Sequence, residues 1–456
     1  MDSIRQQVRR MPPSATIKVL RKVFAMPAPA ARFILNDITR PKSSHKPWIH
    51  KINKEWSGCW IGEKVSKLTE EKLYERIENA DVIIFNIHGG GFRIGKSTMY
   101  MDTYIAWIQK LKELYNLKVM IMSVDYRLAP EYKYPAPVED VVRAYEHLIL
   151  GYEVNPQKII ATGDSAGAAL ILEMLFITHD PSMFEIVTDD IDDPNQQQQE
   201  GPLIQELPRP AGTVLVSPLV TDETTSLSWK ENVKYDYISQ QTAKVIKKDY
   251  FESVSQNNNK NNNKKKMINS SNGSNNGSMK DEVDTLYDEE ENEKQVLGIA
   301  KLQTGFQAFL SPHVLMYIGN LEVLRDDALQ LAEKAKMDGV KWTTVAEDLV
   351  HDWFCVREVV KDKSIFDRAD KVFADFVYRV ISEYRHQQSM IDITLRRASE
   401  GLHTVMEHEE DTITDDDDDD DDDSEEFHEV LTLDDIGITM DGLRRSSKSS
   451  NSYYYI

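Results

Sequence analysis

A serine with a glycine two residues to either side is the feature of this chain most suited to chemistry. The pentapeptide Gly163-Asp164-Ser165-Ala166-Gly167 lies between an apolar run that predicts a strand and a stretch that predicts a helix. A serine in a sharp strand-to-helix turn has a strained backbone, and larger side chains two residues away would clash. The turn exposes the hydroxyl at the positive end of the helix. The pattern predicts that Ser165 is a nucleophile, although a glycine-rich helix start without catalytic role would look similar.

A run of glycines could stabilise the negative charge that a serine nucleophile creates. The motif His88-Gly89-Gly90-Gly91-Phe92 directly follows the predicted strand Val82–Ile87. Glycines let the backbone approach a ligand and aim N–H groups at it. An oxyanion needs such donors, together with the N–H of the residue after the nucleophile, here Ala166. We expect Gly90, Gly91 and Ala166 to donate and Gly89 to shape this oxyanion hole; a flexible turn is the alternative.

A serine nucleophile also needs a base, and His351 is the candidate. It comes just after the last predicted strand, Lys341–Ala346. Open α/β sheets bind their ligands at the carboxyl ends of the strands, so this position favours a catalytic role. The other candidates are His88, His147, His179 and His313. Of these, His88 belongs to the glycine motif, and His147 and His179 lie within or at the end of predicted helices.

The base in turn needs an acid to orient it, and Glu322 is our prediction. It lies in the loop directly after the predicted strand Val314–Ile318. Asp326 and Asp327 open the next helix, where carboxylates are favoured for capping and for the helix dipole. The resulting order of serine, glutamate and histidine is the one expected of an α/β-hydrolase.

Alternating strands and helices must position these side chains. From about residue 80, continuous apolar runs typical of buried parallel strands alternate with stretches of helical periodicity. Repeated strand–helix units predict an α/β fold with a mostly parallel central sheet flanked by helices. The predicted strands are Val82–Ile87, Val119–Val124, Lys158–Thr162, Thr213–Ser217, Val314–Ile318 and Lys341–Ala346, and the predicted helices are Thr103–Tyr115, Pro137–Leu150, Ala166–Thr178, Asp326–Met337 and Trp353–Tyr384.

Three motifs together resemble the hormone-sensitive-lipase group of α/β-hydrolases. They are the glycine motif at 88–92, the DYRLAPE segment at 125–131 followed by Tyr134-Pro135-Ala136 and Asp140, and the serine pentapeptide at 163–167. The resemblance covers residues 81–180, 213–219 and 311–354. It places the catalytic acid at Glu322, where the group usually has Asp, and aligns an H-G-F element with residues 351–354. Asp352 there replaces a small residue. Residues 88–104 and 232–237 also resemble fungal esterases, including steryl acetyl hydrolases.

The resemblance implies an α/β-hydrolase fold with a helical cap over the active site. Residues 1–50 and 222–299 would supply this cap within a hydrolase domain that spans 51–387. The implied activity is hydrolysis of hydrophobic short- or medium-chain esters, or of acetylated lipids or sterols, through an acyl-enzyme without metal or organic cofactor. A catalytically inactive ligand-binding protein of this fold, and an amidase or lactonase with the same triad, are the alternatives.

The net charge of −22 arises mostly from one appendage. Residues 407–441 contain nineteen Asp and Glu and no Lys or Arg, so the rest of the chain carries −3. No basic face suits nucleic acid. The tail over 388–456 and the Asn-rich, then acidic, stretch over 256–293 cannot bury enough apolar surface to fold, so both are predicted to be disordered.

The N-terminus predicts a short basic amphipathic helix that ends before Pro27 and Pro29. It could pack on the body of the protein, lie on a membrane surface as a peripheral contact, or act as a transit peptide. The chain has two cysteines and no apolar run suited to a signal peptide or membrane span. These features favour an intracellular location, in the cytoplasm or at an internal membrane such as the endoplasmic reticulum. The sequence leaves the oligomeric state open.

Overall fold

The computed structural model describes residues 11–182, 206–251 and 298–386. All of them belong to the compact unit Met1–Ser389. The segments predicted to be disordered, 256–293 and 388–456, lie outside the described residues.

The centre of this unit is an eight-stranded sheet in the order β1-β2-β4-β3-β5-β6-β7-β8. Strand β2 runs antiparallel to both of its neighbours, and all the remaining pairs are parallel. The strands are β1 Ile49–Asn53, β2 Ser57–Ile61, β3 Val82–Ile87, β4 Val119–Val124, β5 Ile159–Asp164, β6 Gly212–Val216, β7 His313–Gly319 and β8 Lys341–Glu347.

Helices cover both faces of the sheet. They are α1 Pro13–Phe24, α2 Ala28–Ile38, α3 Glu70–Glu78, α4 Met101–Tyr115, α5 Ala136–Glu146, α6 Ala166–His179, α7 Leu227–Asn232, α8 Gln240–Ile246, α9 Phe306–Phe309, α10 Arg325–Met337 and α11 over 364–386. Because side chains alternate along a strand, Phe85 of β3 packs in one core cluster and Ile84 in the other. Helix α6 is apolar all round, which is typical of a helix buried on every side.

The predicted fold class is confirmed, and the predicted parallel strands agree with the structure to within two residues at each end. No element was predicted between Pro27 and Val82, yet α2, β1, β2 and α3 lie there. Pro29 is in the first turn of α2, where proline starts a helix as readily as it ends one. The helix predicted over 353–384 begins only at 364, because Trp353 and Phe354 pack into the core from a turn.

Strands β3, β5, β7 and β8 end at the same edge of the sheet. Ile87 pairs with Gly163, and Gly319 pairs with Glu347 two strands further along the sheet. The loops that follow these strands therefore converge, as they do at the carboxyl ends of other parallel sheets. They carry the glycine motif, Ser165, Glu322 and His351.

Helix α1 packs on the body of the protein in this structure. Val23 is buried, and the Arg21 guanidinium donates to the carbonyl oxygens of Val233 and Asp236, each at 2.9 Å. None of the helices in the described segments is long and apolar enough to cross a membrane. Cys59 and Cys355 are both buried and free.

Candidate active site

Ser165 occupies the sharp turn between β5 and α6. Its φ of 49° and ψ of −115° lie outside the regions that L-residues usually adopt. A Cβ atom on Gly163 would lie 2.6 Å from the backbone of Gly167, and one on Gly167 would lie 2.2 Å from the carbonyl oxygen of Ile87. The glycines are therefore required by contacts between main-chain segments, and they leave the serine as the one side chain at the apex.

His351 and Ser165 are in direct contact. The Nε2 atom of His351 lies 2.9 Å from the Ser165 hydroxyl oxygen. His351 follows β8 and is 1% exposed. A neutral imidazole with its lone pair on Nε2 can accept the serine proton at this distance, which is the geometry that nucleophile activation requires.

Glu322 lies on the other side of the imidazole. Its Oε2 atom is 3.9 Å from Nδ1 of His351, which is an ion-pair distance but too long for a hydrogen bond. The same oxygen accepts hydrogen bonds from the Ser217 hydroxyl at 2.6 Å and the Gly319 N–H at 3.1 Å. Nδ1 of His351 and Oε1 of Glu322 are buried without hydrogen-bond partners in the described structure. A small approach of the two side chains would satisfy both, as catalytic hydrogen bonds often tighten when substrate binds.

Asp326 and Asp327 face the start of α7 instead. Asp326 accepts from the backbone N–H of Ser228 at 2.7 Å, and Asp327 accepts from the Ser226 hydroxyl at 3.1 Å. Both aspartates are in the first turn of α10, where a carboxylate interacts favourably with the helix dipole. These contacts account for the presence of both aspartates without a catalytic role.

The glycine loop after β3 has two residues at positive φ whose N–H groups could bind an anion. Gly90 and Gly91 have φ values of 109° and 61°, which glycine adopts without strain. Their N–H groups donate to no acceptor within the described part of the chain. The N–H of Ala166, the first residue of α6, has no intrahelical acceptor either, because it begins the helix.

Gly89, by contrast, donates its N–H to Asp164 at 2.9 Å. This donor is thus used to fix the loop against the serine turn. Asp164 also accepts a hydrogen bond from the Tyr100 hydroxyl at 2.8 Å. Nδ1 of His88 lies 2.8 Å from the carbonyl oxygen of Gly89, so His88 supports the loop and does not face the serine.

Two residues with no role assigned from the sequence bond the side chain of Glu322 or the backbone of His351. Asp236 is fully buried and accepts from the backbone N–H of His351 at 3.3 Å and of Val323 at 2.9 Å. Ser217 bonds Glu322 and also accepts from the backbone N–H of Asp352 at 3.0 Å. The signal for Ser217 was its position at the end of a predicted strand. Asp236 lies in the stretch 232–237 that resembles fungal esterases, but it is far from both loops in the sequence.

The imidazole lies among buried carboxylates. Burial raises the pKa of Glu322 to about 8, and it raises the pKa of Asp236 as well. Burial alone would lower the pKa of His351, but the charge and hydrogen bond of Asp352, with the charges of Glu322 and Asp236, raise it to about 10. Several negative charges around one imidazole favour its protonated, positively charged form.

Residues from α1 and from the segment after β6 lie over this site. Arg93, next to the glycine loop, forms an ion pair with Asp249 at 2.7 Å and donates to the carbonyl oxygens of Phe24 and Met26. A cavity of about 30 Å³ adjoins the site and is lined by Ser165, His351, Gly91, Phe24, Leu219, Trp229, Ile238, Ile246 and Phe251 among others.

The comparisons with known proteins agree with this architecture. Residues 84–280 match a family model described as an alpha/beta hydrolase fold. A solved esterase of the bacterial hormone-sensitive lipase family has a TM-score of 0.53 and 21% identity, with 81% of this chain and 98% of that chain covered. Likeness at this identity establishes the fold alone. The chain therefore carries an α/β-hydrolase domain, and its predicted resemblance to the hormone-sensitive-lipase group is confirmed at the level of the fold.

Curated relatives match over shorter stretches. An esterase of Acinetobacter venetianus is 29% identical over 159 residues, which are 35% of this chain and 42% of the esterase. A kynurenine formamidase of Debaryomyces hansenii is 34% identical over 110 residues, which are 24% of this chain and 36% of the formamidase. The chain thus spans less than half the length of these two relatives.

Proposed function

We propose that this chain is a serine carboxylic-ester hydrolase that works through an acyl-enzyme. The observation that supports this most strongly is the 2.9 Å contact between the Ser165 hydroxyl and Nε2 of His351. The same edge of the sheet also carries the backbone N–H groups of Gly90, Gly91 and Ala166, which have no acceptor within the described part of the chain. A nucleophile, its base and donors for an oxyanion are the minimum set for acyl transfer.

In the acylation step, Ser165 attacks the ester carbonyl while Nε2 of His351 takes its proton. The negative charge on the carbonyl oxygen is stabilised by the N–H groups of Gly90, Gly91 and Ala166. Glu322 stabilises the imidazolium, which then protonates the departing alcohol. Water attacks the acyl-enzyme by the same route and releases the acid. The mechanism needs no metal or organic cofactor.

Two cavities, one at Ser165 and a larger one that shares Phe24 with it, favour a small acyl group on an apolar alcohol. The cavity at Ser165 has about 30 Å³. Since a single water needs about 10–15 Å³ of such space, it suits an acyl group of a few heavy atoms. A second cavity of about 120 Å³ lies across Phe24 and is lined largely by apolar residues, including Val19, Leu20, Leu35 and Met101. We therefore favour short-chain esters of hydrophobic alcohols as substrates, and within this class acetylated lipids or sterols.

Helices α1 and α8 would form the cap over these cavities, with residues 1–50 and 222–299 as its two parts. Phe24 and Ile246 line the small cavity from the two segments. Because α1 packs against Asp236, we favour a role for this helix in the cap and not on a membrane surface.

A panel of p-nitrophenyl esters from acetate to laurate, beside matching anilides and acetylated sterols, tests this function. We expect kcat/KM to be highest for acetate or butyrate and to fall as the acyl chain outgrows the small cavity. The Ser165→Ala variant is the control for spontaneous hydrolysis. Faster turnover of anilides would favour an amidase, the activity class named for the formamidase relative. No turnover of any substrate above the control would favour an inactive ligand-binding protein.

A further inference from the structure

A second carboxylate touches the reactive nitrogen of the base. Asp352 is 4% exposed, and its Oδ2 atom lies 3.1 Å from Nε2 of His351. The Ser165 hydroxyl lies 2.9 Å from that same nitrogen. The Tyr237 hydroxyl donates to Oδ2 of Asp352 at 3.5 Å, and the Asp352 N–H donates to Ser217. Two groups therefore compete for one nitrogen.

The two groups require opposite states of that nitrogen. A carboxylate can only accept a hydrogen bond, so it is stabilised when Nε2 carries a proton. The serine hydroxyl can lose its proton only when Nε2 has a free lone pair. With the lone pair in place, Nε2 and the Asp352 oxygen repel each other in a buried environment where charges are poorly screened.

We propose that Asp352 is a positioning residue that holds His351 in the state with a proton on Nε2, and so sets the pH at which the hydrolase becomes active. Its part in catalysis rests on the proposed function. Its effect on the protonation of His351 does not.

Other carboxylates face His351, but none is placed in the same way. Glu322, from the loop after β7, faces Nδ1 at 3.9 Å. Asp236, from the segment before α8, accepts from the backbone N–H of His351. Asp164, from the serine turn, interacts with His351 only through its charge and is hydrogen-bonded to Gly89 and Tyr100. Asp352 alone among these four contacts the nitrogen that must accept the serine proton.

The backbone conformation at Asp352 allows two substitutions that remove its charge in different ways. Its φ of 53° lies in the left-handed region that glycine adopts without strain. Asp352→Gly therefore removes the carboxylate without adding strain, and Asp352→Asn removes the charge while keeping the shape. Agreement between the two variants separates the effect of the charge from an effect of packing.

The experiment measures the pKa of His351 by NMR of the full-length, histidine-labelled chain, with the signal assigned from its loss in His351→Gln. Removal of a neighbouring charge should lower this pKa by about 1–3 in both Asp352 variants. Each decrease of 1 increases the neutral fraction about tenfold at a pH below the pKa. We therefore expect kcat/KM for a p-nitrophenyl ester to rise by at least ~10-fold at pH 7 while its high-pH plateau is kept.

Glu322→Gln is the matched comparison, because it also removes one carboxylate near His351. It should lower the pKa of His351 too, but with a large loss of the high-pH plateau. An unchanged pKa of His351 in both Asp352 variants would overturn the proposal, and so would a plateau loss as large as that of Glu322→Gln. If the pKa falls but no variant hydrolyses any ester, the proposed function fails and the role of Asp352 in protonation stands.

Discussion

Two carboxylates on opposite nitrogens of His351 have opposite consequences for a reaction at Ser165. Glu322 faces Nδ1, where in the proposed mechanism its charge would stabilise the imidazolium. Asp352 faces Nε2 and stabilises a proton on it before the reaction starts. The effect of a carboxylate on the reaction therefore depends more on which imidazole nitrogen it faces than on its distance from the ring.

Glu322→Gln should lower ester turnover by about 10²–10⁴-fold, because it removes the charge that orients and stabilises the imidazole. Asp326→Asn is the control, since it changes a carboxylate only four residues away. Its hydrogen bond goes to the backbone of Ser228, so it should cost about 1 kcal/mol of unfolding free energy with a mild kinetic effect. Turnover numbers and urea denaturation measure the two quantities. An inactive Asp326→Asn beside a nearly normal Glu322→Gln would require Asp326 to replace Glu322 in the triad.

At the scale of elements, the site depends on how closely α6 approaches β3. Gly167 is the second residue of α6, and an added Cβ would lie 2.2 Å from the carbonyl oxygen of Ile87 and 2.6 Å from that of His88. This approach brings the N–H of Ala166 beside the glycine loop that follows β3. The spacing between these two elements therefore determines where the N–H groups proposed as oxyanion donors lie.

Gly167→Ala should be destabilising and should also reduce turnover. Alanine is favoured over glycine in a helix by about 1 kcal/mol, so a neutral environment would give a gain in stability. The backbone contact reverses this sign, with an expected loss of about 1–3 kcal/mol from overpacking. Gly212→Ala is the matched control, because its Cβ would meet only side-chain atoms at 3.3 Å or more. Urea denaturation of both variants decides the point; a more stable and fully active Gly167→Ala would contradict the account.

At the scale of the whole molecule, the parallel sheet brings distant residues to one edge. Continuous apolar runs predicted its six parallel strands, and glycine spacing predicted the serine turn after β5. Strand β1 could not be predicted in this way, because the half-buried His50 and the exposed Lys51 give no apolar run. Asp236 lies within the stretch 232–237 that resembles fungal esterases, but the resemblance did not indicate its contact with the backbone of His351, because the two residues are far apart in the sequence.

The protonation of the site was also beyond prediction from sequence. A histidine base with its ordinary pKa would suggest activity that rises between pH 6 and 7. The structure shows Asp352, Glu322 and Asp236 around His351, which raise its pKa. Since only neutral His351 can accept the serine proton, activity should rise at a higher pH than that of an isolated imidazole.

The central claim is that Ser165 is an activated nucleophile, and covalent labelling of the full-length chain tests it most directly. A fluorophosphonate probe, followed by peptide mass mapping, should modify the wild-type chain at Ser165. It should not modify Ser165→Ala, whose ester turnover should also fall by at least ~10³-fold. Ser226→Ala is the control, because the Ser226 hydroxyl donates to Asp327, which lies outside the triad, so labelling at Ser165 should persist. Labelling that persists in Ser165→Ala, or a wild-type chain that is never labelled, would contradict the account.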